Sequence, residues 1–263
     1  MTSAPLDLTD PAVVADPYPS YARARAQAPV QWHEEMGLWL AFTHAESNAV
    51  LRDRRLGRIW RDREPAAYLE PFNLLHRHQM MENEPPEHTR LRRAVAGAFN
   101  RGHVERLRPR VRELAAGLLA EVDPDGFDVL AAYAEPLPVL VIAELVGLDR
   151  ADVPSLRRWS QAIVRMYEPS PGPGTVDAAV AAATEFADLV REHVARRRVQ
   201  PGEDLTTDLL AAGLSEVELV AAVVLLLNAG HEASVNVFGN GLVAALRHGV
   251  RLGEVEDLPV LFE

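Results

Sequence analysis

One long helical segment limits the possible folds more than any other feature of the sequence. A helix is predicted from Ser215 to about Arg247, and its residues Val217 to Leu227 are apolar on nearly every face. A helix that is apolar all round is normally buried in a core. The chain is therefore predicted to be mainly α-helical, with this segment at its centre.

The rest of the chain supports that fold class. Val30–His33 and Leu38–Phe42 are rich in strand-forming residues and predict a hairpin, hence one small sheet near the N-terminus. Residues 54–83 show no clean period, and a loop of that length inside a compact domain is usually functional or disordered. Further helices are predicted over Tyr21–Gln27 (capped by Ser20), His44–Arg52 (capped by Thr43), Glu87–Phe99, Val104–Val122, Leu137–Val146, Ala151–Tyr167 and Thr175–Arg198.

Composition excludes several classes of function. The net charge is −11, which argues against a nucleic-acid partner, because such proteins need surplus cations. There is no lysine, so no P-loop can form, and no cysteine, so no zinc-thiolate or iron–sulfur site can form. The start lacks a secretory pattern, and the longest unbroken apolar run, Leu219–Leu227, is short for a membrane span. A cytoplasmic location without a membrane partner is predicted.

The most informative motif, Asn228 to Ser234, lies in the middle of the long helix. Ala229 and Ala233 are one helical turn apart, with Gly230 beside them, so this face has almost no side chain and leaves room for a flat cofactor. Glu232 and Ser234 add proton-carrying groups nearby. On spacing alone, another interpretation is favoured. In it, the Ala-Gly pair is a close helix–helix contact and Glu232 is a paired core charge.

A second motif runs from Asn83 to Arg93. Two prolines, Pro85 and Pro86, precede a helix whose first turn contains Glu87. His88 and Arg92 are four residues apart and project from one face, where two cations suit a pair of carboxylates. By itself, a solvated basic helix face is the more ordinary interpretation of this motif.

Together the two motifs resemble those of the cytochrome P450 family. The segment from Pro85 to Arg92 looks like the family's C-helix motif, and the segment from Ala229 to Ser234 looks like its I-helix motif, in matching order and separation. The resemblance covers the whole chain. It implies a mainly α, P450-like helical fold with a small N-terminal β-sheet, incomplete at the C-terminus.

The resemblance also implies roles for individual residues. The cofactor would be haem b, with its propionates bound by His88 and Arg92 and its distal face lined by Ala229, Gly230 and Ala233. Glu232 would relay protons, and Met80, Met81 and Leu226 would contact a small organic substrate. Ferredoxin and ferredoxin reductase would supply electrons for inserting one atom of O2, and the helices between 151 and 198 would form a lid.

The sequence departs from the family pattern in two respects. Ala233 stands where most members have a threonine that hydrogen-bonds bound oxygen, so oxygen activation is expected to depend on the substrate or on Ser234. The axial cysteine and the Glu-X-X-Arg pair are missing, so there is no metal ligand in these 263 residues. The expected boundaries within a single P450 domain are 1–53 for the entry, hairpin and B helix, 54–83 for the substrate-recognition loop, 84–214 for the C to H helices, 215–247 for the I helix and 248–263 for the start of the following helices.

Two hypotheses about activity therefore remain open. In the first, the complete protein is a monooxygenase, possibly acting on a secondary-metabolite or macrolide-like substrate. In the second, the chain is a catalytically inactive fragment or a helical binding module that lacks the haem thiolate.

Overall fold

The computed structural model describes residues 6–98, 101–168 and 171–251, apart from the side chains of 98, 101–104 and 106. The chain divides into two compact units, Met1–Gly57 and Arg58–Glu263. The first combines helices with a hairpin, and the second is helical throughout its described elements. The predicted fold class is confirmed.

The first unit contains the predicted hairpin. Strands β1 (Val30–His33) and β2 (Leu38–Ala41) pair antiparallel, with Val30 opposite Ala41. Trp32 and Trp39 face each other across the pair, edge to face, with ring centroids 5.5 Å apart. The helices of this unit are α1 (Pro11–Ala15), α2 (Tyr18–Gln27) and α3 (His44–Arg52).

The two helix caps predicted in this unit have different outcomes. Thr43 caps α3 as predicted, since its hydroxyl accepts a hydrogen bond from the Glu46 amide at 3.4 Å. The prediction for Ser20 is wrong, because α2 already begins at Tyr18 and Ser20 lies inside it. The buried Ser20 hydroxyl instead accepts a hydrogen bond from Arg23 at 2.8 Å.

The second unit contains eight α-helices within its described residues. They are α4 (Glu70–Arg77), α5 (Glu87–Ala98), α6 (Arg101–Ala120), α7 (Pro136–Val146), α8 (Val153–Val164), α9 (Pro173–Val199), α10 (Leu205–Ala211) and α11 (Glu216–Arg247). A π-helical turn at Leu130–Ala134 precedes α7, and 3-10 turns flank α8 at Arg150–Asp152 and Arg165–Tyr167.

Two of these helices are not among those predicted from the sequence. Residues 54–83 are not irregular throughout, because they contain α4 and a 3-10 turn at Met80–Glu82. The other missed helix, α10, starts after Asp204, whose carboxylate accepts a hydrogen bond from the Thr207 amide at 2.9 Å. Both helices span about two turns, which is too short for a period of 3.6 to stand out in the sequence.

Helix α11 runs through the core as predicted. Residues 219–225 and Leu227 are buried, and α11 packs against α4, α7, α8 and α9. Among the described residues, α11 is the one helix whose length and composition would also allow it to cross a membrane. Burial of its first half among the other helices accounts for that composition.

The start of α11 is fixed by two sets of hydrogen bonds. Ser215 and Glu218 form a capping box, in which the Ser215 amide donates to the Glu218 carboxylate at 2.9 Å. The same carboxylate forms an ion pair with Arg90 of α5. The hydrogen bond from Arg90 lowers the pKa of Glu218 to about 2. The box and the ion pair therefore tie the first turn of α11 to α5.

Candidate functional site around the centre of α11

The surroundings of α11 change at its centre. Leu227 is fully buried, whereas Ala229 and Ala233 are exposed and Val237, one turn further on, is 51% exposed. These three residues are spaced four apart and share one face of the helix. We call Ala229, Ala233 and Val237 the strip. It is an apolar surface with small side chains at its start, on a helix whose preceding turns are core.

Gly230 belongs to a different face. A Cβ atom placed on Gly230 would lie 2.9 Å from both Cδ1 and Cγ1 of Ile142, which belongs to α7. Glycine therefore allows α7 and α11 to approach closely at this point. For Gly230 the structure supports a helix–helix contact, the alternative left open by the sequence, and its role in cofactor binding stays a prediction.

Helix α5 lies on the same side of α11 as the strip. Leu91 and Val95 of α5 line a small cavity together with Ala222 and Leu226 of α11. Helical spacing places Ala222 and Leu226 on the face that continues into the strip. Helix α5 thus reaches α11 at the turns that come just before the strip.

The two predicted cationic anchors lie on this same helix. His88 is half-buried, and its Nδ1 donates to the Met80 carbonyl at 2.8 Å, which leaves Nε2 available. Arg92 is exposed, and its guanidinium has no ion-pair partner among the described residues. His88 and Arg92 flank Leu91, which faces α11. An imidazole and a guanidinium one helical turn apart, on a helix that reaches α11, suit a ligand that carries carboxylates.

The three predicted substrate contacts are not all in one place. Met80 and Leu226 line the same small cavity next to α5. The Met80 carbonyl is also the acceptor for His88, so the recognition segment and the predicted anchor are directly connected. Met81, in contrast, is 48% exposed. Its contact with substrate stays a prediction.

Glu232 lies beside a polar cavity of about 540 Å³. The cavity is open to solvent and is lined by α8 and the turn after it, by the segment before α7 and by α11. Its polar lining includes Glu135, Gln161, Arg165, Glu168, His231 and Glu232. Glu232 is half-buried and makes no ion pair among the described residues. This does not support the alternative in which it is a paired core charge.

His231 was missed by the sequence analysis. It is 1% exposed, and its Nδ1 lies 3.3 Å from the Ser160 hydroxyl of α8. Its Nε2 is buried without a hydrogen-bond partner in the described part of the chain, at the wall of the polar cavity. Burial is the main cause that lowers the pKa of His231. The available signal was a histidine directly after a run of buried apolar residues in one helix.

Ser234 is exposed at the centre of α11. Its hydroxyl donates to the Gly230 carbonyl one turn earlier, at 2.8 Å. Serine often makes this bond inside helices. The hydroxyl oxygen can still accept a hydrogen bond, so a role for Ser234 in proton delivery stays a prediction.

Curated proteins similar to this chain are bacterial cytochromes P450. Cytochrome P450 monooxygenase PikC of Streptomyces venezuelae is 37% identical over 260 residues, which cover 94% of this chain and 60% of that protein. The 6-deoxyerythronolide B hydroxylase of Saccharopolyspora erythraea is 35% identical over 277 aligned residues, which cover 98% of this chain and 67% of that protein. The chain thus spans about two thirds or less of the length of these relatives.

Solved structures give the same result for the fold. CalO2 superposes with a TM-score of 0.81 at 30% identity, over 94% of this chain and 64% of that one. The myxobacterial cytochrome P450 CYP267B1, solved in complex with myristic acid, gives 0.79 at 34% identity, over 92% and 63%. No family model matches the sequence. The identity with the hydroxylase, over two thirds of its length, shows that this chain belongs to the cytochrome P450 family.

Proposed function

We propose that the complete protein is a haem-thiolate monooxygenase that inserts one oxygen atom from O2 into an organic substrate. The observation that carries this proposal is the strip on α11, which is open and apolar although the helix before it is core. Together with the cationic side of α5, it fits the distal half of a haem site. A cysteine ligand would come from outside these 263 residues, which contain none.

Residues of two helices would hold the cofactor. His88 through Nε2 and Arg92 through its guanidinium would bind the two propionates of haem b. Ala229 and Ala233 would lie against the distal face of the ring, where larger side chains would collide with it. When bound, the haem supplies the redox chemistry of oxygen activation, and the thiolate sets its electronic character.

Glu232 would handle protons during that reaction. It lies between the polar cavity and the strip side of the helix, and it has no ion pair among the described residues to fix its charge. In the absence of the usual threonine, Ala233 contributes no hydroxyl. A substrate hydroxyl or Ser234 would then orient the proton donor.

The substrate is proposed to be a secondary metabolite, including macrolide-like compounds. The names of the similar proteins point to this class, since they include 6-deoxyerythronolide B hydroxylase and nocardicin C N-oxygenase. Met80, Met81 and Leu226 would make adaptable apolar contacts with it. Electrons would come from ferredoxin and its reductase in the cytoplasm, without a nucleic-acid or membrane partner.

The test is to express the complete protein and load it with haem b. A cysteinate-type Soret band after reduction and CO binding is the expected result. His88→Ala and Arg92→Ala should each weaken haem retention about tenfold, because each removes a charge-assisted hydrogen bond. The matched control is Arg93→Ala, an exposed cation on the same helix. Absence of the band, or equal haem loss from the control, would contradict the proposal.

A further inference from the structure

One wall of the polar cavity is formed by a single face of α11. His231, Glu232 and Val235 line the cavity from this helix. Asn228 precedes His231 by three residues and Val235 by seven, so helical spacing places it on the same face, one turn nearer the buried half. We call Asn228, His231 and Glu232 the polar face. The strip lies on the neighbouring face of the helix.

Each residue of the polar face has a polar group without a partner. The Asn228 Oδ1 and His231 Nε2 atoms are buried and make no hydrogen bond to any residue that the structure describes. Glu232 makes no ion pair within the described ranges. A buried polar atom without a partner lowers stability. Two such atoms on one face beside a cavity point to a ligand that pairs with them.

The surroundings of His231 define what kind of partner its Nε2 needs. Ser160 of α8 is fully buried, and among the described residues its hydroxyl is hydrogen-bonded to His231 Nδ1 alone, at 3.3 Å. Burial lowers the pKa of His231, so the ring is neutral at neutral pH and carries one proton. His231 lines the cavity and Ser160 does not. Donation from Ser160 to Nδ1 therefore satisfies the enclosed hydroxyl and leaves the ring proton on Nε2, at the cavity.

The charges around the cavity narrow the class of ligand. Glu135 forms an ion pair with Arg157. Glu168 pairs with Arg165 at 3.0 Å. Glu232 is then the one charged side chain without a compensating partner among the described lining residues. An anionic ligand is disfavoured, because it would meet this carboxylate.

We propose that the polar cavity binds a ligand rich in hydroxyl groups, with one hydroxyl seated between Asn228 and His231. A hydroxyl can donate to Oδ1 and accept from Nε2, whereas an ammonium group cannot accept and a carboxylate cannot donate. Glu232 would accept from a second hydroxyl. The cavity volume of about 540 Å³ leaves room for a small sugar ring. Both atoms are covered in the unliganded chain, so binding includes a small rotation of each side chain toward the ligand.

Calorimetric titration of the complete protein tests the class of ligand. The probe is methyl β-D-glucopyranoside, which carries several hydroxyls on one ring, and a Kd of about 1 mM is expected from a few net hydrogen bonds. Cyclohexylammonium and cyclohexanecarboxylate present the other two groups on a ring of similar size, and should bind at least about tenfold more weakly. Equal binding of either one would overturn the proposal. Absence of glucoside binding would overturn it too, and would leave water as the occupant.

Two substitutions test the seat of the hydroxyl. Asn228→Leu and His231→Phe each remove one of its partners and should weaken glucoside binding about tenfold. Asn240→Leu, the same change at an exposed position of α11, is the matched control. Wild-type affinity in Asn228→Leu, or an equal loss in the control, would overturn the proposal.

Two further measurements separate binding from a structural role. Asn228→Leu removes a buried atom that has no partner, so its midpoint in urea should equal or exceed that of the wild type. A lower midpoint would assign the amide a structural partner and contradict the proposal. NMR of the imidazole nitrogens should show His231 protonated at Nε2, and a proton on Nδ1 would contradict the proposed seat.

Competition with substrate distinguishes two sources of the hydroxyls. If the glucoside displaces substrate from the haem-loaded protein, the hydroxyls belong to the substrate itself, and this assignment rests on the proposed function. If the two bind together, the cavity is a separate site. Because the titration requires neither haem nor activity, a missing Soret band would overturn the proposed function alone.

Discussion

Residues 219–227 and residues 229–237 lie on one continuous helix but have different surroundings. In the first stretch every residue except Leu226 is buried, and the side chains are Leu, Val and Ala. In the second stretch only His231 is buried, and the side chains are those of two alanines, a glycine, two valines and four polar residues. The backbone is helical in both, so the difference lies in the side chains and in what packs against them.

This difference divides α11 into a core half and a half that carries the proposed site. Its first half stabilises the fold by removing apolar surface from water. Its second half gives up that stabilisation and leaves open the strip, with Glu232 and His231 beside a polar cavity. A substitution in the first half should therefore change stability most, and one in the second half should change chemistry most.

The largest expected effect is on stability in the first half. Leu227→Ala should lower the free energy of unfolding by about 3 kcal/mol, because it leaves a cavity in a packed core. Leu246→Ala makes the same chemical change in the same helix at a site that is 68% exposed, and should cost under about 0.5 kcal/mol. Urea titration of both variants measures this, and equal losses would remove the distinction between the halves.

A somewhat smaller loss of stability is expected near the junction of the two halves of α11. Gly230→Ala should cost about 2 kcal/mol in urea unfolding, because its Cβ would collide with Ile142 of α7. Adding Ile142→Val removes one of the two colliding atoms and should recover part of the loss. In contrast, Gly97→Ala in α5 meets open space and should stabilise by up to about 1 kcal/mol. A neutral Gly230→Ala would show that the two helices are not in tight contact.

A smaller effect on stability, which depends on pH, is expected from His231. Burial lowers its pKa in the folded protein, so the unfolded chain binds protons more readily. Its contribution to stability is therefore complete above the ordinary imidazole pKa of 6.5 and is lost as pH falls through the lowered pKa. Urea titrations across this range should show a shallower decline for His231→Asn than for the wild type. Burial also lowers the pKa of His76 and of His193, which add their own shares of the slope, so identical slopes would assign the whole effect to those two histidines.

The smallest change in free energy is expected in the strip itself. Ala233→Thr in the complete, haem-loaded protein should raise coupled turnover of substrates that lack a hydroxyl by about threefold, because it supplies a proton-carrying group. Peroxide release should fall correspondingly, and unfolding in urea should hardly change. If turnover and peroxide release are unchanged on every substrate, the proposed dependence on a substrate hydroxyl or Ser234 fails.

Long or clearly capped elements could be predicted from the sequence. The bounds of α11 and α3 agree with the structure because a long apolar period or a capping threonine marks them. Helices α4 and α10 could not be found because they are short and gain their stability from tertiary contacts. Phe72, which is fully buried in α4, shows this, since its environment comes from distant residues.

The candidate site was predictable to a similar extent. The motifs around His88 and Ala229 pointed to two helices, and the structure places α5 on the strip side of α11. Contacts between segments far apart in sequence had no local signal. The bond between His76 and Tyr167, 91 residues apart, is such a contact, and so is the approach of Gly230 to Ile142.

The anchored first turn of α11 has a consequence for the whole helix. Ala229 comes eleven residues after Glu218, which is roughly 16 Å along the axis at about 1.5 Å per residue. A helix hardly changes length, so it acts as a rigid spacer between its fixed end and the proposed site. The distance along the helix axis from the ion pair with Arg90 to the small side chains on α11 is therefore fixed. Because the pKa of Glu218 is low, the ion pair persists in acid and that distance is kept.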